Sequence, residues 1–243
     1  MTHATAPAPA RDSYRKALAR GRALYPGVRI GRPGRARSYW PTIVALRLMH
    51  LRLKVEITGS ENVAPGAGIL IGNHLKAIDP VIVVMTHWWR VTAFTKVEVF
   101  ENRGAIFFRL MGQIPLRRGD EASTRWAMDM ASRTLAAGAK LGLYPEGTRS
   151  PDKSKLHRLH KRILIPVLRD NPDVPAYAVG TTYTPRPGRR TLVQVRVSPR
   201  LPLDVHTMTA DELTTVVRDA LLELGGQEYV DEYGRDVKAA MTR

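Results

Sequence analysis

Two short apolar runs constrain this chain more than anything else in it. Gly68 to Gly72 (GILIG) and Leu141 to Tyr144 (LGLY) both stop abruptly at polar residues, NHLKAID over Asn73 to Asp79 and EGTRS over Glu146 to Ser150. A run of this length cut off by polar residues is the signature of a buried strand that delivers functional groups to a rim. Such strands alternate with helical patterns along the chain, which makes an α/β fold. At 243 residues one sizeable core is favoured over two domains. The expectation is a single α/β domain with a mixed, mostly parallel sheet flanked by helices, plus an N-terminal helical membrane-associating segment.

The predicted elements follow in order. Asp12 or Ser13 is placed to cap a basic helix that runs to Leu24, where Pro26 and Gly27 stop it. Gly31 to Arg37 is a basic linker. A second helix over Tyr39 to Leu53 starts near Pro41, with Ile43, Leu46, Met49 and Leu53 in a stripe and Arg47 and His50 off it. Lys54 to Gly59 alternates like a half-buried strand. Asp79 followed by Pro80 reads as an N-cap with proline at the first helical position, predicting a helix over Pro80 to Trp89. Beyond it, Val91 to Phe94 reads as a strand and Gly112 to Arg118 as a short edge strand. Ser123 to Ala137 reads as a helix with Trp126, Met130 and Leu135 inward, and Leu156 to Leu168 as a basic helix. Val174 to Thr181 and an outer Thr191 to Val197 are strands, and a terminal helix over Asp211 to Leu224 is capped by Thr209 and closed by Gly225. The chain thus divides into 1–53, a disordered Pro/Ala-rich start (residues 1–10) and basic amphipathic helices; 54–204, the main domain; and 205–243, a C-terminal helix and tail.

Charge narrows the partners. A net charge of +16 predicts attraction to a polyanion, nucleic acid or an anionic bilayer. Residues 1–58 carry 12 Lys or Arg against two acids, so this charge is concentrated ahead of the first polar motif. An amphipathic helix with arginine on the polar side and Tyr39 and Trp40 at one end fits interfacial membrane binding, or packing on its own domain. The absence of cysteine excludes thiol chemistry and allows a reducing, cytoplasmic setting. The longest uncharged run, Asn62 to Leu75, has 14 residues, whereas a spanning helix needs about 20. The expectation is a peripheral or monotopic protein with no transmembrane span.

His74 and Asp79 carry the chemistry. On a continuous helix five residues turn about 500°, leaving the two side chains roughly 140° apart, and Asp79 before proline is disfavoured in helical geometry. The segment must bend, and a loop lets the carboxylate fold back to the imidazole. Such a pair fixes the histidine tautomer and leaves the other ring nitrogen to take a proton from a hydroxyl. Equally, Asp79 can simply cap the next helix. The second motif adds what the first lacks: Gly147 for close backbone approach, Thr148 as donor and Arg149 for bidentate contact suit a phosphate.

At these residues the chain resembles the glycerolipid acyltransferases, in particular the bacterial 1-acylglycerol-3-phosphate acyltransferases. Asn73, His74 and Asp79 match NHxxxxD, and Glu146 to Arg149 match EGTR. Gly112 to Arg118 resembles the G-x-I-x-x-x-R block. Val174-Pro175 with Gly180-Thr181 resembles the closing VP block, and Lys96 resembles a family lysine. The resemblance covers about Lys54 to Leu203. It implies transfer of a fatty acyl chain from acyl-CoA or acyl carrier protein, with no further cofactor, to the hydroxyl of a lysophospholipid, chiefly 1-acyl-sn-glycerol 3-phosphate, on the cytoplasmic face of the cell membrane. His74 would be the general base and Asp79 its orienter. Arg118, Arg149 and Lys96 would grip the acceptor phosphate, with Thr148 contributing and Glu146 and Gly147 shaping that pocket.

Two positions depart from the family pattern. Lys76 stands where serine is common, and it is expected to point to solvent or to a phosphate. Leu159 to Arg162 replaces Phe-Lys-x-Gly. His157 and His160 have a spacing that binds metal but no cysteine or acidic companion, and read as surface residues, so no metal is expected. The rivals are an acyltransferase for another lipid or glycolipid acceptor, an inactive lipid-binding relative, and a basic nucleic-acid-binding protein. No RNP, zinc-finger or KH signature supports the last of these, and nucleic acid is not an expected partner.

Overall fold

The N-terminal third of the chain builds one flank and the first strands. A computed structural model describes residues 11–28, 30–31, 38–49, 53–86, 89–101 and 106–242. The Pro/Ala-rich start, His50 and all of the basic linker but Gly31 lie outside them. Helix α1 (Arg11–Leu24) and α2 (Tyr39–Met49) precede strand β1 (Leu53–Thr58) and β2 (Gly68–Gly72). Then come α3 (Asp79–Thr86), β3 (Val91–Lys96), α4 (Val97–Glu101), α5 (Ile106–Leu110) and β4 (Ile114–Leu116). The middle holds α6 (Glu121–Ala136), β5 (Lys140–Leu143), β6 (Lys155–His157) and α7 (Lys161–Arg169). The chain closes with β7 (Ala176–Thr184), β8 (Thr191–Val197), α8 (Ala210–Gly225), β9 (Glu228–Val230) and α9 (Gly234–Met241).

Among the described residues, seven strands form one sheet in the order β1, β8, β7, β2, β5, β3, β4. Only the β7–β8 pairing is antiparallel, so the sheet is mixed and mostly parallel. Strand β2 is buried along its whole length because both neighbours pair with it and both faces are covered. Its side chains alternate: Ile69 and Ile71 enter a core with α1, α6, α7 and α8, and Leu70 enters another with α2 and α3. Strand β7 does the same with Ala176 and Ala178 against Tyr177 and Val179. Trp126, Met130 and Leu135 of α6 face inward as the periodicity requires.

Several local readings need correction. Thr191–Val197 is not an outer strand, because β1 pairs with its far side. The 156–168 stretch opens as strand β6, which pairs with β9, and becomes helical only at Lys161. Helix α8 is not terminal, and the left-handed residue that closes its capping-box helix is Gly226 rather than Gly225. Helix α2 ends by Met49, since Leu53 already pairs in β1. Helix α1 is already helical at Arg11, so Asp12 and Ser13 lie inside it.

Both N-terminal helices pack on the domain. Trp126 Nε1 donates to the Ala17 carbonyl at 2.7 Å, and the Tyr25 hydroxyl bonds Ser123. Tyr39, 2% exposed, accepts from the Val91 N–H through its hydroxyl at 2.8 Å, which pins α2 to β3. Val44 and Leu48 of α2 nevertheless face outward, at 48% and 63% exposure, next to Ile106 and Leu110 of α5, which α2 contacts. Among the described residues no helix is long and apolar enough to cross a membrane.

Candidate active site

Parallel neighbours in register end at the same level, and this is what assembles the site. Ile71 pairs with Leu143 between β2 and β5, and Ala93 pairs with Gly142 between β5 and β3. The segments that leave β2, β5, β3 and β7 therefore emerge at one sheet edge, the carboxyl end where open α/β sheets place ligand sites.

After β2 the chain turns through Asn73–Ile78 without regular structure, so His74 and Asp79 lie across a bend. His74 Nδ1 is 3.0 Å from Asp79 Oδ2. The same carboxylate oxygen accepts from the backbone N–H of Leu75 at 2.6 Å and of Lys76 at 2.7 Å. Asp79 thus caps backward onto the loop rather than forward onto α3. The α3 turn is opened instead by the Ile78 carbonyl, which accepts from Ile82 N. This corrects the N-cap reading of Asp79. Two backbone N–H bonds and the imidazole contact, all on one oxygen, fix the position of this wholly buried side chain. With Nδ1 turned to Asp79, the ring presents Nε2, on a side chain that is 19% exposed. Asn73 does not face the chemistry. It exchanges hydrogen bonds with the Thr181 N–H (2.8 Å) and carbonyl (3.1 Å), extending the β2–β7 ladder by a side chain.

Two tyrosines in this site were not identified from sequence. Tyr183, on β7, donates its hydroxyl to Asp79 Oδ1 at 2.5 Å. Burial and the Asp79 charge hold its phenol well above the ordinary range, so it stays a donor. The Tyr144 ring lies 4.7 Å from the His74 ring, and burial raises its phenol as well. The Lys76 ammonium, part of a half-buried side chain, sits 4.1 Å from the centre of the Tyr183 ring, a cation–π contact.

The EGTR loop is tied to the histidine loop by backbone bonds in both directions. Glu146 Oε1 accepts from His74 N at 2.8 Å, and Ser150 N donates to the His74 carbonyl at 2.7 Å. Burial pushes the Glu146 carboxyl up to about 7, against the bonds from His74 N and His157 N. Glu146 is therefore a brace between the two loops. Gly147 has φ +66°, and a Cβ there would sit 2.7 Å from His160 Cδ2, so both backbone conformation and space demand glycine. His157 is 2% exposed and His160 half-buried, which corrects the surface reading. His160 stacks on Tyr233 at 4.4 Å.

Lys96 at the end of β3, Arg118 just past β4 and Arg149 are exposed side chains around this rim. Thr148 Oγ1 accepts from Lys238 Nζ at 3.2 Å. Neither Lys96, Arg118 nor Arg149 makes a close ion pair among the described residues. Tyr144, whose ring meets His74, also lines an apolar cleft of about 100 Å³. Gly72, Pro80, Leu46 and Phe107 line it as well, so β2, β3, α2, α3 and α5 all border it.

The family model for acyltransferases matches residues 54–179, just over half of the chain. The chain belongs to the acyltransferase family. The 1-acyl-sn-glycerol-3-phosphate acyltransferase of Borreliella burgdorferi is 32% identical over 103 residues, a match that spans 40% of this chain and 40% of that relative. The crystal structure of the 1-acyl-sn-glycerophosphate acyltransferase PlsC from Thermotoga maritima superposes with a TM-score of 0.59, covering 84% of this chain and 80% of that one at 21% identity, a likeness of fold. Both family motifs lie inside the matched stretch, whereas Tyr183 and Lys238 lie beyond it.

Proposed function

We propose that this acyltransferase moves a fatty acyl chain from acyl-CoA or acyl carrier protein to the free hydroxyl of 1-acyl-sn-glycerol 3-phosphate, giving phosphatidic acid. The observation that carries the reading is the setting of His74: its Nδ1 contacts a buried carboxylate, its ring lies against Tyr144, which lines an apolar cleft, and its backbone is bonded to the loop that carries Arg149. The cleft suits an acyl chain, and Lys96, Arg118 and Arg149 suit a phosphate monoester.

In this mechanism His74 Nε2 takes the acceptor hydroxyl proton as its oxygen attacks the thioester carbonyl. The tetrahedral adduct collapses, the C–S bond breaks, and the imidazolium returns the proton to the departing thiolate. Asp79 stabilises the imidazolium and Tyr183 holds Asp79. The name of the Borreliella burgdorferi relative supports this choice of acceptor.

The same reading places the protein on the cytoplasmic face of a membrane without spanning it. Val44 and Leu48, with Ile106 and Leu110, form an outward apolar patch on the helices that border the cleft, and the net charge of +16 favours anionic lipid. Labelled acyl-CoA and a panel of lyso-lipids, with His74→Ala as control, test the reaction. Acylation of no phosphate-bearing acceptor, or an alanine variant as active as the parent, refutes it. Co-sedimentation with anionic vesicles tests the surface: a Val44→Asp/Leu48→Asp double variant that binds like the parent removes the patch from the account.

A further inference from the structure

The last strand and helix fold back over the EGTR loop. Strand β9 pairs in parallel with β6, the strand that follows the loop, and Glu228 N donates to the Ser154 carbonyl at 2.9 Å. Gln227 accepts from Asn73 Nδ2 at 2.8 Å and donates to the Lys155 carbonyl at 2.8 Å, so one side chain touches the segments of both motifs. The Arg158–Asp231 pair at 2.8 Å and the stacked His160 and Tyr233 rings seat the turn into α9. Gly234 then packs on Thr148, which brings Lys238, one turn further, onto the loop.

Lys238 Nζ donates to Thr148 Oγ1 at 3.2 Å and to the Arg149 carbonyl, and an ammonium has a third N–H, for which no acceptor stands among the described residues. Desolvation first, then the Arg149 and Lys96 charges, lower its affinity for a proton, while Glu146 opposes them. Desolvation likewise lowers Arg118, which Glu98 offsets and Arg235 of α9 reinforces. Lys238 thus sits on the EGTR loop beside Arg149 and within electrostatic reach of Lys96, and the pairing of Lys96 with Leu116 sets Arg118 two residues beyond that position. Among the described residues Lys238, like the other three, makes no close ion pair with a carboxylate. Converging like charges repel in the empty site and are relieved by an anion.

From this convergence we propose that α9 completes the acceptor site: Lys238 is a phosphate-binding residue, supplied from outside the stretch that the family model matches. The proposal rests on the lysophospholipid reading above. It differs from a purely structural clip in that the ammonium charge, not only its bonds to Thr148 and Arg149, is needed.

Lys238→Gln keeps a donor for Thr148 and removes the charge, and Lys238→Arg keeps the charge. Full-length protein is assayed for acylation of lysophosphatidic acid, and separately for binding of glycerol 3-phosphate by calorimetry. The glutamine variant is expected to raise the acceptor KM roughly tenfold or more, with kcat within about twofold and the acyl-donor KM unchanged. It is also expected to weaken glycerol 3-phosphate by a similar factor, and the arginine variant restores most of both. An unchanged acceptor KM and unchanged glycerol 3-phosphate affinity overturn the proposal, as does a loss that arginine does not restore and that tracks a fall in melting temperature. If the parent does not acylate lysophosphatidic acid but binds glycerol 3-phosphate through Lys238, the acceptor reading fails and this assignment stands. If the parent neither acylates lysophosphatidic acid nor binds glycerol 3-phosphate, both fall.

Discussion

Asp79 is wholly buried and receives four hydrogen bonds, from His74 Nδ1, Leu75 N, Lys76 N and the Tyr183 hydroxyl. Arg149, on the loop that leaves the adjacent strand, is exposed, and its close cationic neighbour is Lys238 rather than an acid. The first region is complete in itself: burying a carboxylate is costly, and four donors offset that cost while they immobilise the imidazole. The second is incomplete, because cations brought together with no carboxylate in close contact gain from an anionic ligand. A general base benefits from being held in place before the substrate arrives, whereas a headgroup site benefits from charge left unsatisfied until it does.

The sharpest way to break this contrast is His74→Ala. Removing the base is expected to lower kcat by roughly 10²- to 10⁴-fold with the melting temperature nearly unchanged. A loss below tenfold in steady-state assays would remove His74 from the proton transfer. Next in size is Arg149→Ala, expected to raise the acceptor KM by about 10- to 100-fold while leaving acyl-donor KM near the parent value. Equal effects on both substrates would mean that the open rim is not an acceptor site.

Tyr183→Phe tests whether the closed region needs its outermost donor. With Asp79 one bond short, kcat is expected to fall roughly 3- to 10-fold and the pH profile of kcat to move, with KM values unchanged. An unmoved profile makes Tyr183 a packing residue only.

The last test reads stability rather than activity, at the brace between the two regions. Glu146 is raised from 4.5 to about 7 chiefly by burial, so the folded state holds its proton where the unfolded chain has lost it. Its contribution to stability is fully present below about 4.5 and is lost as pH rises to about 7. Relative to Glu146→Gln, which keeps the acceptor for His74 N, the parent is expected to lose on the order of 3 kcal/mol between these limits. Urea unfolding at both pH values measures it, and identical pH slopes would show that the carboxyl stays ionised.

Much of this was legible from short stretches. The run GILIG, the bend demanded by His74 and Asp79 before Pro80, and the EGTR residues are local signals, read within a few positions of one another. They specified an α/β fold, the two loops and the family. Local reading went astray where a residue's role depends on a distant segment. Asp79 resembled a forward cap because Asp-Pro opens helices, yet its second oxygen belongs to Tyr183, 104 residues away. Thr191–Val197 looked like an outer strand because it alternates, but β1 covers its edge. For Lys76 the sequence suggested solvent or a phosphate, and the ring of Tyr183 that it also meets comes from β7, more than a hundred residues on.

By itself the sequence determined the strands of the main sheet, though not β6 or β9, and which polar groups β2 and β5 deliver, because periodicity and turn chemistry act over a handful of residues. The tertiary structure alone decided which groups meet. In-register parallel pairing sets the ends of β2 and β5 level, and the pairing of β9 with β6 carries Lys238 to Arg149, 89 residues earlier in the chain. Strand order is a property of the whole core, and no window of sequence contains it.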